Sequence, residues 1–258
     1  CGNGRSRSAA QGEAIRGATL YDAPVTSLTP GRERAMREKR FIPGAGSDWL
    51  LPLYDPLTRL LGVGGCHRHL LGQAAISSGD RVLEIGCGTG NLTILAKRLN
   101  PAAEVIGIDP DPKALARARR KAQRGGVPVR FDLAFSEQLP FPEASFDRVL
   151  SVLMLHHIQP AAKLLALREA FRVLKPGGSL HLADFDKGER HSGGFLARIL
   201  HSRHGFTLPH IVLDLMRDAG FTDSQEVGRQ NFVLGQIAYY KGVLPPSPLP
   251  RRSARRST

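Results

Sequence analysis

From Gly79 onward the chain alternates short runs of aliphatic residues with longer stretches in which apolar residues return every three or four positions. The runs are short and rich in Val and Ile, which predicts strands at 81–85, 104–108, 128–132, 146–152 and 179–184. The stretches between them predict helices near 91–99, 112–123 and 160–174. The second of these opens on Asp111 and Pro112, an N-cap and a first-turn residue, and closes on Gly125 and Gly126. Strands joined by helical crossovers of this length imply an α/β fold, a doubly wound, mostly parallel sheet covered on both faces. A further helix is expected over 208–219, ending at Gly220, and the runs 222–228 and 231–240 pair as an antiparallel C-terminal edge. Upstream, Leu50, Leu53, Tyr54, Leu57, Leu60 and Leu61 recur at helical spacing after Trp49, with Asp55 and Pro56 placed to start a second helix. Two helices are thus expected ahead of the first strand.

Composition changes the picture mainly at the ends. Residues 1–46 are rich in Gly, Arg and Ser without a sustained period and read as a disordered basic leader; 241–258, with its PPSPLPRRSARRST, reads as a disordered Pro- and Arg-rich tail. Between them, 47–240 reads as one domain: a helical lid over 47–78, a ligand-binding core over 79–185, and an acceptor or lid segment over 186–215. The formal charge of +13 invites a nucleic-acid reading, yet residues 1–40 and 241–258 supply +9 of it, leaving 41–240 with 23 Lys/Arg against 19 Asp/Glu. The excess therefore belongs to the ends rather than to a binding face, and no specific nucleic-acid partner is expected.

No stretch approaches the roughly 18 apolar residues of a transmembrane segment, and the first residues carry no signal-peptide core, so a cytoplasmic protein is expected. Cys1, Cys66 and Cys87 are an odd, scattered set without CxxC spacing, which suggests neither disulfides nor zinc. A start at Cys1 fits a fragment, a processed product or a mature lipoprotein. Nothing in the composition bears on oligomeric state.

The chemistry begins at Val82-Leu83-Glu84-Ile85-Gly86-Cys87-Gly88-Thr89-Gly90-Asn91, a strand running into a glycine turn and then a helix. Such a turn at the carboxyl end of the first strand lets a ligand approach the backbone closely. Its GxGxG spacing does not call for a dinucleotide pyrophosphate. The next strand, Val105-Ile106-Gly107-Ile108, ends in Asp109. Alone, Asp109 would read as a turn or cap residue ahead of Pro110; beside the glycine turn it reads as the acceptor for both hydroxyls of a ribose.

These residues resemble motifs I and II of class I S-adenosylmethionine-dependent methyltransferases, and with them a Rossmann-like fold. The likeness continues through Glu137-Gln138-Leu139-Pro140-Phe141, Ser145-Phe146-Asp147 and Leu155-His156-His157-Ile158 to Arg172-Val173-Leu174-Lys175-Pro176-Gly177-Gly178. It covers roughly 81–185 and is similar to the branch that includes the ubiquinone/menaquinone C-methyltransferases. The resemblance implies S-adenosylmethionine as cofactor. Glu84 would then support the turn that contains Cys87 and Gly88, while Gly86, Thr89 and Gly90 would line the methionine part. Asp109 would hold the ribose and Pro110 would touch the adenine, with Phe135 and Ser136 flanking that ring and Val152 and Leu153 bordering the methionine end. Phe135 departs from the family's Asp or Asn, so the adenine would be gripped by apolar contact, unless nearby Asp132 fills that role. Lys175-Pro176-Gly177-Gly178 reads as a helix stop and turn ahead of the fifth strand.

Methyl transfer needs its catalytic group on the acceptor side. His156 and His157, after the fourth strand, are candidates for the base that deprotonates a small-molecule acceptor such as a quinol, phenol or lipid, or else they shape the pocket. Trp49 and Tyr54 on the N-terminal helices are candidates to cover the site. No metal is expected; His201 and His204 are spaced like a ligand pair, but no Cys or carboxylate beside them completes a site. The competing functions are a non-catalytic relative that binds RNA or acidic partners through its basic ends, and a nicotinamide-dependent dehydrogenase, which the GxGxG spacing disfavours.

Overall fold

The structure, a computed structural model, describes residues 62–186, 208–232 and 235–246. The leader, Trp49, Tyr54, most of 186–215 and most of the C-terminal tail lie outside the described residues. Seven strands form one sheet in the order β3-β2-β1-β4-β5-β7-β6: β1 (Arg81–Ile85), β2 (Glu104–Asp109), β3 (Arg130–Leu133), β4 (Phe146–Val152), β5 (Leu174–Asp186), β6 (Thr222–Phe232) and β7 (Gly235–Val243). The pairs β1–β2, β1–β4, β2–β3 and β4–β5 are parallel, and β7 runs antiparallel to both β5 and β6. Strand order reverses between β1 and β4, the switch point where open α/β sheets take ligands at the carboxyl ends of their strands.

Each face of the sheet is covered by its own helices. Helices α1 (Val63–Ala74), α2 (Asn91–Leu99) and α3 (Pro112–Arg124) cover one side, where Cys66, Leu70 and Leu71 of α1 join Leu92 and Ala96 of α2 against Val82, Val105, Leu150 and Tyr239. Ile94 of α2 and Leu115, Ala118 and Ala122 of α3 complete that layer around Phe131. On the other side α4 (Pro160–Val173) and α5 (Pro209–Asp218) pack Leu167, Ala170, Val212 and Met216 onto Leu83, Ile106, Val149 and Leu180. Alternate residues of β1, Val82 and Leu83, thus feed opposite cores, as a strand buried on both faces requires. Truncating a side chain as enclosed as Leu70 or Leu83 costs about 2–5 kcal/mol.

Strand positions follow the alternation in the sequence, except that Asn231 and Phe232 close β6 and β7 runs Gly235–Val243 rather than 231–240; three further differences stand out. First, α1 starts after Gly62, whose φ of 82° suits glycine, and spends its stripe of Cys66, Leu70, Leu71 and Ala74 on the sheet, so the described part of the expected lid segment is core. Second, Lys175–Gly178 does not precede β5 but forms an excursion inside it: the β4–β5 register slips between Phe146 and Arg148, and Gly177 (φ 79°) donates to the Leu244 carbonyl. Third, β3 begins two residues later than expected, at Arg130. No helix among the described residues is long and apolar enough to cross a membrane.

Candidate active site

The glycine turn between β1 and α2 is shaped by conformation first. Gly86, Gly88 and Gly90 all have positive φ, at 76°, 51° and 76°. Close approach adds to this at two of them: a Cβ on Gly86 would lie 2.3 Å from Met154 Cγ, and one on Gly90 would lie 2.7 Å from the Phe131 ring. Around Gly88 nothing stands within 4 Å of the Cβ position, so this is the open side of the turn. The Gly86 and Cys87 amides both donate to the Ile108 carbonyl at 2.9 Å, fastening the turn to the end of β2.

Two carboxylates sit behind that turn. Glu84, on β1 and 3% exposed, accepts a hydrogen bond from the Thr93 hydroxyl of α2, so it ties the strand to the helix that follows the turn. Burial pushes its carboxyl up to about 8, against the help of Thr93, and nearby Asp109 pushes the same way. Asp109 joins the turn to the β2–α3 loop: Oδ2 accepts from the Gly88 amide at 2.8 Å and Oδ1 from the Asp111 amide at 2.9 Å. Burial lifts its carboxyl to about 6, with those two amides pulling down. The turn-residue and ribose readings of Asp109 are therefore compatible, because each oxygen has spent one acceptor position and keeps another for a hydroxyl. The spare acceptor positions of Asp109 and the open side of the turn at Gly88 fit the ribose hydroxyls and the amino-acid part of S-adenosylmethionine.

Cys87 is buried, and burial together with Glu84 and Asp109 drives its thiol well above the ordinary range, so it packs rather than reacts. Thr89 is also buried; its hydroxyl accepts from Lys121 Nζ (3.3 Å), which donates in addition to Asn91 Oδ1 (2.7 Å). On the adenine side, Phe135 and Ser136 follow β3 and are half-buried, as is Pro110. The Ala134 amide donates to the Asp109 carbonyl, and the Ser136 hydroxyl donates to Glu137. Asp132 pairs with Ile108 inside the β2–β3 ladder, and its side chain meets Arg130 at 2.7 Å.

The acceptor side begins where β4 ends. Val152 is buried, and Leu153 adopts a left-handed φ of 53° while its amide donates to the Ala183 carbonyl of β5. That conformation costs a non-glycine residue about 1–2 kcal/mol and swings Met154 over Gly86. A 3-10 turn, Leu155–His157, follows. Within it His156, 8% exposed, is clamped by Asp184 at the carboxyl end of β5: its backbone amide donates to Oδ2 (3.0 Å) and its Nδ1 meets Oδ1 at 2.6 Å. Asp184 accepts from the Phe185 amide as well. Burial alone would raise the Asp184 carboxyl, but His156 and the two amides hold it below the usual carboxylate range, so it is the ionised partner and Nδ1–H donates to it. The His157 ring lies 4.1 Å from that of His156 and the Phe185 ring 5.2 Å away. Lys163 of α4 is buried near Asp184, its ammonium lowered by burial.

Asp184 escaped the sequence reading, which ended the fifth strand at this residue without giving it a role. The available signal was an ionisable residue closing an apolar strand, one strand over from a histidine pair. Lys121 is a second omission, hidden among the cations of α3. Trp49, Tyr54, His191, His201 and His204 fall outside the described residues, and His210 is exposed on α5. Among the described residues no three His, Cys, Asp or Glu side chains cluster as metal ligands.

A family model described as a methyltransferase domain matches residues 82–178. The demethylmenaquinone methyltransferase of Thermus thermophilus is 37% identical over 157 residues, covering 60% of this chain and 70% of that protein. The 27-O-demethylrifamycin SV methyltransferase of Amycolatopsis mediterranei is 40% identical over 118 residues, covering 45% of this chain and 42% of that protein. Several further curated relatives are matched over only a little more than half their length. Among solved structures, the [4+2]-cyclase SpnF superposes with a TM-score of 0.59 at 21% identity, over 70% of this chain and 80% of that one, a likeness of fold alone.

Proposed function

The chain belongs to the class I S-adenosylmethionine-dependent methyltransferases, in the branch of the ubiquinone/menaquinone C-methyltransferases, and from that premise we propose that it methylates a hydroxylated aromatic acceptor of the quinol class. The observation that carries the acceptor half of this reading is the His156–Asp184 pair, at the carboxyl ends of two adjacent strands and next to the glycine turn through Met154 and Leu153.

In the donor half, the open side of the turn at Gly88 receives the amino-acid part of the cofactor, Asp109 accepts from the ribose hydroxyls, and Pro110, Phe135 and Ser136 border the adenine. S-adenosylmethionine supplies, when bound, a methyl group whose leaving thioether is neutral and needs no acid. What remains is to orient and deprotonate the acceptor. With Nδ1–H fixed on Asp184, His156 presents Nε2 as the proton-accepting nitrogen. Taking a phenolic proton there raises electron density on the ring oxygen and on the carbon beside it, and the ionised Asp184 stabilises the imidazolium that results. Leu153, Met154 and Phe185 supply the apolar walls that keep water from the methyl group.

The test is turnover with a reduced naphthoquinol and with simple phenols, in wild type and in His156→Ala. Methylated quinol formed by the wild type, and a variant that binds cofactor but turns over at least ~100-fold more slowly, are the expected results. Methylation of aliphatic amines with quinols untouched would overturn the acceptor class.

A further inference from the structure

Averaged over 41–240 the charge of the chain is mild, but folding segregates it. The three helices of one layer, α1 (VGGCHRHLLGQA), α2 (NLTILAKRL) and α3 (PKALARARRKAQR), carry nine Lys or Arg and no Asp or Glu. On the opposite layer α4 and α5 mix Lys163, Arg168, Arg172 and Arg217 with Glu169, Asp214 and Asp218, and form the pairs Arg172–Glu169 and Arg217–Asp214. In the basic layer Arg68, Arg98, Arg119, Arg120 and Arg124 are exposed. Arg98 lies across the end of α3, its guanidinium 2.6 Å from where a Cβ on Gly125 would stand, so the cations of α2 and α3 form one continuous surface. Asp111, the acid at the edge of this layer, is buried and spends its carboxylate on the Lys113 and Ala114 amides. Same-sign neighbours four apart, such as Arg120 and Arg124, weaken an isolated helix, a repulsion that an opposed anionic surface relieves.

We propose that this helical layer is a docking face for an anionic phospholipid bilayer. Two features select a bilayer over a nucleic acid. The three helices contain no Phe, Tyr or Trp, so they offer no such platform on which bases stack. At the end of α2, next to the exposed Arg98, stands Leu99, 57% exposed, an apolar side chain beside a cation that suits the boundary between headgroups and acyl chains. The choice also rests on the quinol reading above, since an acceptor of that class dissolves in a membrane.

The test is co-sedimentation of the full chain with vesicles of phosphatidylcholine alone or of phosphatidylcholine with phosphatidylglycerol, without cofactor or acceptor, so that it is independent of the methylation assay. Binding to the anionic vesicles only, falling as salt is raised, is expected. The triple variant Arg98→Gln/Arg120→Gln/Arg124→Gln should lower the partition coefficient about 100-fold, and Leu99→Ser severalfold, with S-adenosylmethionine affinity and thermal unfolding unchanged to certify the fold. Undiminished vesicle binding by the triple variant would assign the attraction to the basic ends of the chain and overturn the proposal. So would no vesicle binding by the wild type, or a preference for an RNA oligonucleotide over the vesicles that the triple substitution abolishes.

Discussion

The donor half of the cleft, from Glu84 to Asp109, is shaped by main chain: three positive-φ glycines, paired amides on Ile108, and a carboxylate bonded to two more amides. The acceptor half beyond Val152 is shaped by side chains from separate strands, with Asp184 of β5 reaching His156 after β4. A site shaped by backbone recognises what is constant, the cofactor; one shaped by side chains is free to differ in what it accepts. The two halves should therefore respond differently to substitution.

The largest separation is expected at His156. His156→Ala should lower kcat about 100- to 10,000-fold with cofactor affinity unchanged, and Asp184→Asn should act in the same direction by leaving the imidazole without its ionised partner. Asp184 positions rather than reacts, so its variant should also shift the pH profile of kcat, measured with saturating acceptor; a uniform loss at every pH would mark a purely structural role.

In the donor half, Gly90→Ala meets Phe131 and Ala118 at 2.7 and 2.9 Å as well as an unfavourable φ, whereas Gly88→Ala meets only the φ. Denaturant titration should show a loss of about 2–4 kcal/mol for the first and about 1 kcal/mol for the second. Equal losses would mean that packing around Phe131 does not shape the turn.

Asp109→Asn should weaken S-adenosylmethionine binding by about 10- to 100-fold. In the wild type the same affinity should fall as pH drops through about 6, where Asp109 takes a proton and accepts less well. Calorimetric titration at pH 5 and pH 7.5 reads both effects.

A further effect is on the pH dependence of stability. Glu84 has its folded pKa raised to about 8, so it binds a proton in the folded state that the unfolded chain has already released. Its contribution is fully present below the unfolded value, near 4.5, and is lost as pH rises toward 8. Glu84→Gln should flatten that slope in denaturant midpoints measured from pH 5 to 8.

What was legible in the sequence follows the same division. The glycine turn, Asp109 and the strand positions are local: each is a run of adjacent residues whose spacing has one good conformational reading, and the two β-rich runs after Gly220 pair as their alternation suggests. Asp184 and Lys163 were not legible because their role comes from strand adjacency; 28 positions separate Asp184 from His156, and nothing in either segment names the other. The excursion at Gly177 was read as a turn before β5 because Pro and Gly punctuate a chain without telling whether pairing resumes in the same strand. The basic layer was hidden by averaging, since the acids that balance it in composition fold elsewhere.

The most direct measurement is a paired determination of S-adenosylmethionine affinity and single-turnover methyl-transfer rate, at saturating cofactor, for Asp109→Asn and His156→Ala. The expected result is a crossed pattern: Asp109→Asn weakens binding and nearly keeps the bound-state rate, while His156→Ala keeps binding and loses the rate. Parallel losses of both quantities in both variants would contradict a cleft divided into a donor half and an acceptor half.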